Sequence, residues 1–532
     1  MREVNEGNEH ADNGTVQNVM GTEETQPLPR ISSRRPPNRG FVALMHSEAY
    51  TNILHKTMGK PNENFDENLD FNSDIDAGSH SSGCIVGGGV HNERDILLSS
   101  LLDCCGFLRV PCTIKVISPS LATRQHLEWF HSKSYLDMLD PSKRRALKCH
   151  GFSRRVVQNE NSIAGSAVLS SHTTNACSDS SLKNDIDKSR NDGEKICDRN
   201  YWREMDAFGL TDDCVLPETR AGQELLWKYC RSVAGASLQA AQLLCSDSKS
   251  IEVAINWGGG RHHAKKSQAG GFCFINDAVL AIKYLQKKCH RVLYIDIDIH
   301  HCDGVSEAFY NSDSVLVCSL HRLAPGFFPC TGNPKEKGSG NGFGYNLNIP
   351  LPDHINDKAM LSIFQHAVKN LMKAYKPTAI VLAVGGDGLK GDPLVGPDGW
   401  FLSTKGLAAC TQFVAIQSKR RNAKLLVLGG GGYNDVNTAR AFAVCTAASC
   451  CGIRPSMLNE LPGDVPTHNL IERYKPDYQL HTDANIYERQ FTVKEGKMMK
   501  DGMENIDKYV AYISKKERST YKTFEEVHDD DW

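Results

Sequence analysis

No stretch of the 532 residues approaches the roughly 20 consecutive apolar residues that a helix needs to cross a bilayer, and no charged start followed by an apolar run marks a secretory signal. A soluble chain is the expectation. Nor is there an excess of charge: Lys and Arg number 61 against 63 Asp and Glu, a formal net charge of -2. Without a global field to draw nucleic acid or an anionic membrane, any charged partner has to be met locally. The 19 cysteines are scattered and contain no CxxC pair, which argues against a disulfide framework or a zinc finger and fits reduced thiols in a nuclear or cytosolic setting. What is present is 40% hydrophobic residues, enough for a sizeable core.

Residues 1–40 are polar, with a basic patch at Arg34, Arg35 and Arg39, and read as a disordered tail that is as compatible with nuclear import as with simple solvation. FVALMHS from Phe41 resembles a first strand, and Tyr50 to Lys56 a short helix. Two low-complexity insertions are expected at about 59–88 and 141–199, both too polar to bury. Between them Ile96, Leu97, Leu101 and Leu102 repeat at helical spacing, with Arg94 one turn earlier, where an arginine is ordinarily solvated. A long helical pattern runs through Leu225, Leu226, Val233, Leu238, Ala241 and Leu244. Strand signals then alternate with helices: VAINW at 253–257, the run from Arg291, SVLVCSL at 314–320, AIVLAV and KLLVL. Residues 321–345 read as a long loop, and Asn356 or Asp357 can cap the helix that follows. The expected fold is a single α/β domain over 41–515, with a central, mainly parallel sheet flanked by helices, and a short tail at 516–532. In such sheets ligands bind beyond the carboxyl ends of the strands.

The stretch RVLYIDIDIHHCDG, Arg291 to Gly304, sets an apolar strand of the fully buried type against Asp296, Asp298, His300, His301 and Asp303. Asp296, Asp298 and His300 alternate with apolar residues, so they are expected to share a face at the strand's end, where burying that much charge calls for a cation. Other strand ends add His262 and His263 on a glycine turn, Asp387 in GGDG, and Tyr433 after four glycines. Any one of these groups alone would read as a satisfied structural residue. Their conjunction points to a metal hydrolase, in which Asp298, His300 and Asp387 supply one nitrogen and two oxygens and leave positions open. His262 and His263 lack the i,i+4 spacing of a helical zinc motif, so acid/base work suits them, with Asp296 and Asp303 as the available orienting carboxylates. Tyr433 is the natural donor to a developing oxyanion.

RHHAKK, GGFCFIND, YIDIDIHHCDG, APGFFPCTG, GGDGLKGDP and LGGGGYN, in that order, resemble the class I zinc-dependent histone deacetylases, with the histone deacetylase 8 branch the nearest match. The resemblance covers about Phe41 to Lys515 outside the insertions and implies the arginase/deacetylase-like fold. It implies a lysine deacetylase using zinc or ferrous iron, with His263 paired to Asp303 as general base and acid and His262 paired to Asp296 as an electrostatic partner. It matches Gly271, Phe272 and Phe328 to the walls of a lysine channel, Asp213 to a rim carboxylate that holds the substrate backbone, and Arg94 to an inner-cavity arginine linked to acetate release. Two potassium sites are implied, one at Asp296, Asp298, His300, Ser319 and Leu320, the other at Phe309, Ser312, Val315 and Tyr345. Acetylated histone tails or other acetyl-lysine proteins are the implied partners, in nucleus and cytoplasm, with no sequence-specific nucleic acid and no membrane. Pro393 stands where corepressor-bound relatives carry an arginine for an inositol phosphate, so no dependence on that group is expected.

The chain departs from the family pattern at several places. Cys302 and Cys330 replace glycines, and a positive φ at either would cost about 1 to 2 kcal/mol. Gly386 and Gly388 flank Asp387 where small side chains are usual, Lys390 adds a cation nearby, and Arg261 replaces an aromatic or leucine at the channel. These departures leave an acetyl-lysine-binding scaffold of weakened activity as an alternative. An acetylpolyamine amidohydrolase shares the mechanism. A binuclear arginase-like enzyme would need carboxylates where Cys302 and Leu389 stand.

Overall fold

The computed structural model describes residues 40–58, 93–109, 113–143, 201–217, 219–246, 250–482 and 491–528. The expected tail, apart from Gly40, the first insertion and most of the second lie outside the described residues. Eight strands form one sheet: β1 (Phe41–Met45), β2 (Ile114–Ile117), β3 (Ile251–Asn256), β4 (Val292–Asp296), β5 (Val315–Arg322), β6 (Asn346–Leu351), β7 (Ala379–Ala383) and β8 (Lys424–Leu428). Their order is β2-β1-β3-β8-β7-β4-β5-β6, and every pairing is parallel.

Alternation along each strand builds two cores, because successive side chains leave opposite faces. Leu293 and Ile295 of β4, Ile380 and Leu382 of β7, and Leu425 and Val427 of β8 enter one cluster with Leu97, Phe364, Leu407 and Phe442. Val292 and Tyr294, Val381 and Ala383, and Leu426 and Leu428 enter the other with Leu226, Val233, Val279 and Leu280. Helices Arg94–Cys104, Asp357–Tyr375, Thr404–Arg420 and Asp435–Cys450 thus cover one face, and Arg220–Leu244 with Asp277–Leu285 the other. Strands covered on both sides read as apolar runs, which is why β3, β4, β7 and β8 are visible in the sequence.

The two edge strands are not. β2 is four residues long with Lys115 and Val116 exposed, and β6 begins Asn-Leu-Asn and contains Pro350, a residue that sheets accept at edges. β6 occupies ground next to the expected long loop. Asn356 does cap its helix, its side chain accepting from the Ala359 N–H at 3.0 Å. The last helix, Val493–His528, runs on past residue 515. Among the described residues no helix is long and apolar enough to cross a membrane.

Candidate active site and metal centre

Five neighbouring strands, β3, β8, β7, β4 and β5, bring their carboxyl ends to one place. β3 leads into the glycine turn bearing His262 and His263. Two residues at the start of helix Asp277–Leu285 hold that turn from beneath. Asp277 accepts the N–H of Gly260 at 3.1 Å, that of Arg261 at 2.8 Å and the Ser237 hydroxyl at 2.5 Å. Asn276 donates its Nδ2 to the carbonyls of His262 (3.3 Å) and Ala264 (2.8 Å), while its Oδ1 caps the helix at Val279.

β4 ends at Asp296, earlier than the alternation suggested, so Asp298 and His300 lie beyond the strand rather than on one of its faces. The reason is local: the Asp296 Oδ1 accepts the Asp298 N–H at 3.0 Å and the Asp298 Oδ1 accepts the His300 N–H at 2.9 Å. Each aspartate thereby turns the backbone two residues on, the habit of Asx turns. The result places the His300 Nδ1 3.2 Å from the Asp298 Oδ1 and 3.0 Å from the Asp387 Oδ2. Asp298, His300 and Asp387 are buried, and one donor atom from each lies within 4.8 Å of the others, which makes them a possible metal site. Two carboxylates converging on one imbedded imidazole suit a divalent cation, because without one the like charges oppose each other. Burial and the neighbouring Asp298 push Asp387 up to about 7. Burial would also raise Asp298, but His262 and His300 outweigh it and hold that carboxyl well below its ordinary range.

Beside this cluster the two histidines form a chain. The His262 Nδ1 lies 2.8 Å from the Asp296 Oδ2, the two Nε2 atoms lie 2.9 Å apart, and the His263 Nδ1 lies 2.8 Å from the Asp303 Oδ1. Burial opposes charge on both. At His262 the carboxylates of Asp296 and Asp298 overcome it and raise the imidazole to about 9. At His263 burial and the adjacent His262 charge prevail over Asp303 and lower it to about 4. A consistent proton assignment follows: His262 is an imidazolium donating to Asp296 and to the His263 Nε2, and His263 is neutral, donating Nδ1–H to Asp303.

His262, His263, Asp298, His300, Phe272 and Tyr433 all line one cavity. Phe272 meets Tyr433 edge-on with centroids 5.9 Å apart, and Phe328 meets His263 likewise at 4.8 Å. Phe327 stacks flat on His300 at 5.0 Å. The Asp213 Oδ2 accepts the Gly271 N–H at 2.6 Å, so it anchors the channel wall itself. Burial and the charges of Asp387 and Asp298 push the Tyr433 phenol well above its ordinary range, which keeps its hydroxyl a donor. The glycine loop before it is held by two charged groups. Arg94, 1% exposed rather than solvated, donates to the carbonyls of Gly430, Gly431 and Gly432 at 3.3 to 3.5 Å. Asp392, also buried, accepts the Tyr433 N–H at 2.6 Å. Asp392, Asn276 and Asp277 escaped the sequence reading; a buried acid after a helix cap or in GDP was the one available signal.

Of the expected potassium ligands, Asp296 and Ser319 face each other in the β4–β5 register, Leu320 follows, and the Ser319 hydroxyl lies 2.9 Å from the His321 Nδ1. Phe309, Ser312, Val315 and Tyr345 gather at the other end of β5, where the Phe309 and Tyr345 carbonyls accept the N–H groups of Ser312 and Val317, each at 2.9 Å. His301 has a structural setting, with its ring nitrogens 2.8 Å from the Thr331 hydroxyl and 3.1 Å from that of Ser306.

A profile of the histone deacetylase domain matches residues 90–449, well over half of the chain. The chain belongs to the histone deacetylase family. Curated relatives agree: it is 41% identical to histone deacetylase 6 of Arabidopsis thaliana over 303 residues, 57% of this chain and 59% of that one. It is 40% identical to human histone deacetylase 1 over 293 residues, 55% of this chain and 56% of the other, and 43% identical to Arabidopsis histone deacetylase 9 over 281 residues, 53% and 61%. The aligned part thus spans somewhat more than half the length of these relatives.

Against the histone deacetylase pattern, the two cysteine departures separate. Cys302 has φ -76° and is fully buried in the second core, so its side chain carries no backbone strain. Cys330 has φ +63° and is exposed, in the region that favours glycine. Gly386 is not a loosened turn: a Cβ there would meet the Thr438 Cγ2 at 2.6 Å. The Lys390 ammonium lies 5.5 Å from the centre of the Phe401 ring, so its stem reaches over that aromatic. Among the described residues Asp298, His300 and Asp387 form the one candidate metal cluster, and the buried Cys302 sulfur lies 3.7 Å from the Ser306 hydroxyl outside it, so a second, arginase-like metal position does not assemble.

Proposed function

We propose that this chain is a metal-dependent hydrolase that removes acetyl groups from lysine side chains of histones or other proteins. The observation that carries the reading is the meeting of Asp298, His300, the His262–His263 pair, Phe272 and Tyr433 in one cavity, with Asp387 completing the metal cluster and Phe328 edge-on against His263. A zinc or ferrous ion held by Asp298, His300 and Asp387 would polarise the amide carbonyl and acidify water. The remaining work falls to the protein. Neutral His263, its Nδ1–H held by Asp303, has an unprotonated Nε2 that accepts from His262 at 2.9 Å and, on exchanging that contact for the attacking water, takes its proton and returns it to the lysine nitrogen as the C–N bond breaks. His262, kept cationic by Asp296, stabilises negative charge beside it. The Tyr433 hydroxyl donates to the carbonyl oxygen as it gains charge, a contact typically worth roughly 3 to 4 kcal/mol in the transition state. Phe272 and Phe328 flank the lysine methylenes, with Gly271, braced by Asp213, forming the wall between them.

Within the family we place the chain nearest the histone deacetylase 8 branch, on Pro393, Pro325, Phe327 and Phe328, and without need of an inositol phosphate. The two clusters around Ser319 and around Phe309 to Tyr345 are our candidate potassium sites, and the protein would work in nucleus and cytoplasm. Hydrolysis of an acetyl-lysine peptide by the purified chain, lost with a chelator and restored by zinc or ferrous iron, tests the reading. A fully metal-loaded, folded chain with no turnover would leave the acetyl-lysine-binding scaffold in its place.

A further inference from the structure

Arg261 stands directly before the two active-site histidines and lines the same cavity as His262, His263, Asp298, His300 and Tyr433, yet it is only 7% exposed. Its Nη2 donates to the Gly258 carbonyl at 3.3 Å, and its Nε has no acceptor among the described residues. Asp277 and Asp95 lie near enough to favour its charge, but no hydrogen bond joins either to its guanidinium. Asp277 accepts two backbone N–H groups and the Ser237 hydroxyl, and Asp95 stands 4.0 Å from the Arg94 Nε. The charge is thus compensated at a distance, while a buried Nε–H without an acceptor leaves a donor free for a ligand oxygen.

The lining of the cavity says which ligand. A lysine entering beside Phe272 presents its amide at Asp298, His300, Asp387 and Tyr433, which leaves Gly260, Arg261 and Gly430 of the same lining to meet the acyl group beyond the amide. An acetyl group ends there in a methyl, which accepts no hydrogen bond. Resting on the deacylase reading above, we propose that Arg261 selects lysine acyl groups that end in a carboxylate, of the succinyl and glutaryl class. Hydrolysis breaks the amide C–N bond, joins the oxygen of water to the acyl carbon, and gives the free lysine amine and a dicarboxylate. The far carboxylate accepts from the planar fork of Arg261, a geometry that favours guanidinium over ammonium.

The test compares kcat/KM of the full chain on one peptide carrying acetyl-, butyryl-, succinyl- or glutaryl-lysine, for the native protein, Arg261→Leu and Arg261→Lys. The succinyl-to-butyryl ratio should fall at least about tenfold in Arg261→Leu, the low end for a charge-assisted hydrogen bond, and by less in Arg261→Lys. An unchanged ratio in both variants overturns the proposal, as does a native chain that hydrolyses acetyl- and butyryl-lysine but neither acidic acyl group. Calorimetric titration with glutarate reads the same residue without turnover. Glutarate binding that weakens in the folded variants supports the proposal even if no acyl peptide is cleaved, in which case the deacylase reading alone fails. Equal glutarate binding by native and variant chains sinks it.

Discussion

Replacing Gly271 by alanine puts a methyl group where the His263 ring already is. Gly271 has φ +55°, and a Cβ built on it would lie 2.3 Å from the His263 Cδ2, 2.7 Å from its Cγ and 2.9 Å from the Phe328 Cε1. Unstrained carbon contacts begin near 3.5 Å, so the ring or the wall has to move by about 1.2 Å. The ring has little freedom to do so, because its Nδ1 is held by Asp303 and its Nε2 by His262. A displacement of about 1 Å at a catalytic group costs on the order of 10²-fold in rate, or about 2.7 kcal/mol of barrier. The left-handed backbone adds about 1 to 2 kcal/mol of destabilisation. Gly270→Ala is the control: nothing lies within 4 Å of its Cβ position, so activity should stay within about twofold and stability should hold or rise slightly. The assay is kcat/KM on an acetyl-lysine peptide, with bound metal and thermal unfolding measured on each variant. Gly271→Ala that is folded, metal-loaded and within about threefold of the native rate would refute the placing of His263 as the general base.

The two cysteines that replace family glycines should respond with opposite signs. Cys330→Gly relieves a left-handed residue and should raise stability by up to about 1 kcal/mol, whereas Cys302→Gly empties a buried site at φ -76° and should lower it by about 1 to 2 kcal/mol, both read by denaturant unfolding. His131, whose Nε2 accepts the Asn276 N–H at 3.0 Å, is lowered by burial from 6.5 to about 4. The native state therefore binds fewer protons than the unfolded chain between those values, and stability should fall as pH drops from 6.5 towards 4, by about 3 kcal/mol in all; His131→Asn should flatten that part of the profile. Adding zinc to chelator-treated protein should raise the thermal midpoint, by about 4 kcal/mol of stability at a thousandfold excess over Kd, and Asp387→Asn should abolish most of the rise.

What was legible in the sequence is what depends on burial by both neighbours of a strand. β3, β4, β7 and β8 are apolar runs because helices cover them on each side, and the ligands stand out because each follows such a run. β2 lacks that cover, with two of its four residues exposed, whereas β6 is buried but interleaves two asparagines and a proline with its apolar residues, so neither shows as an apolar run. Asp392, Asn276 and Asp277 were illegible for a different reason: they act on backbone N–H and C=O groups of neighbouring loops, 12 to 41 residues away, and a sequence carries no mark of which loop an amide partner belongs to. Arg94 likewise changes from a solvated helix start to a buried brace once the four-glycine loop folds over it. Cys302 and Cys330 look alike in sequence and differ in φ and in burial.

In the deacetylase proposed above, one site joins a metal cluster, a neutral histidine base and a tyrosine donor. Turnover of an acetyl-lysine peptide by the purified, metal-quantified chain and by Tyr433→Phe tests it most directly. The phenol supplies one transition-state hydrogen bond, so kcat should fall about 10²- to 10³-fold in Tyr433→Phe with metal content unchanged. Equal rates for the two proteins, or no turnover above that of Tyr433→Phe by the metal-loaded native chain, would contradict the account.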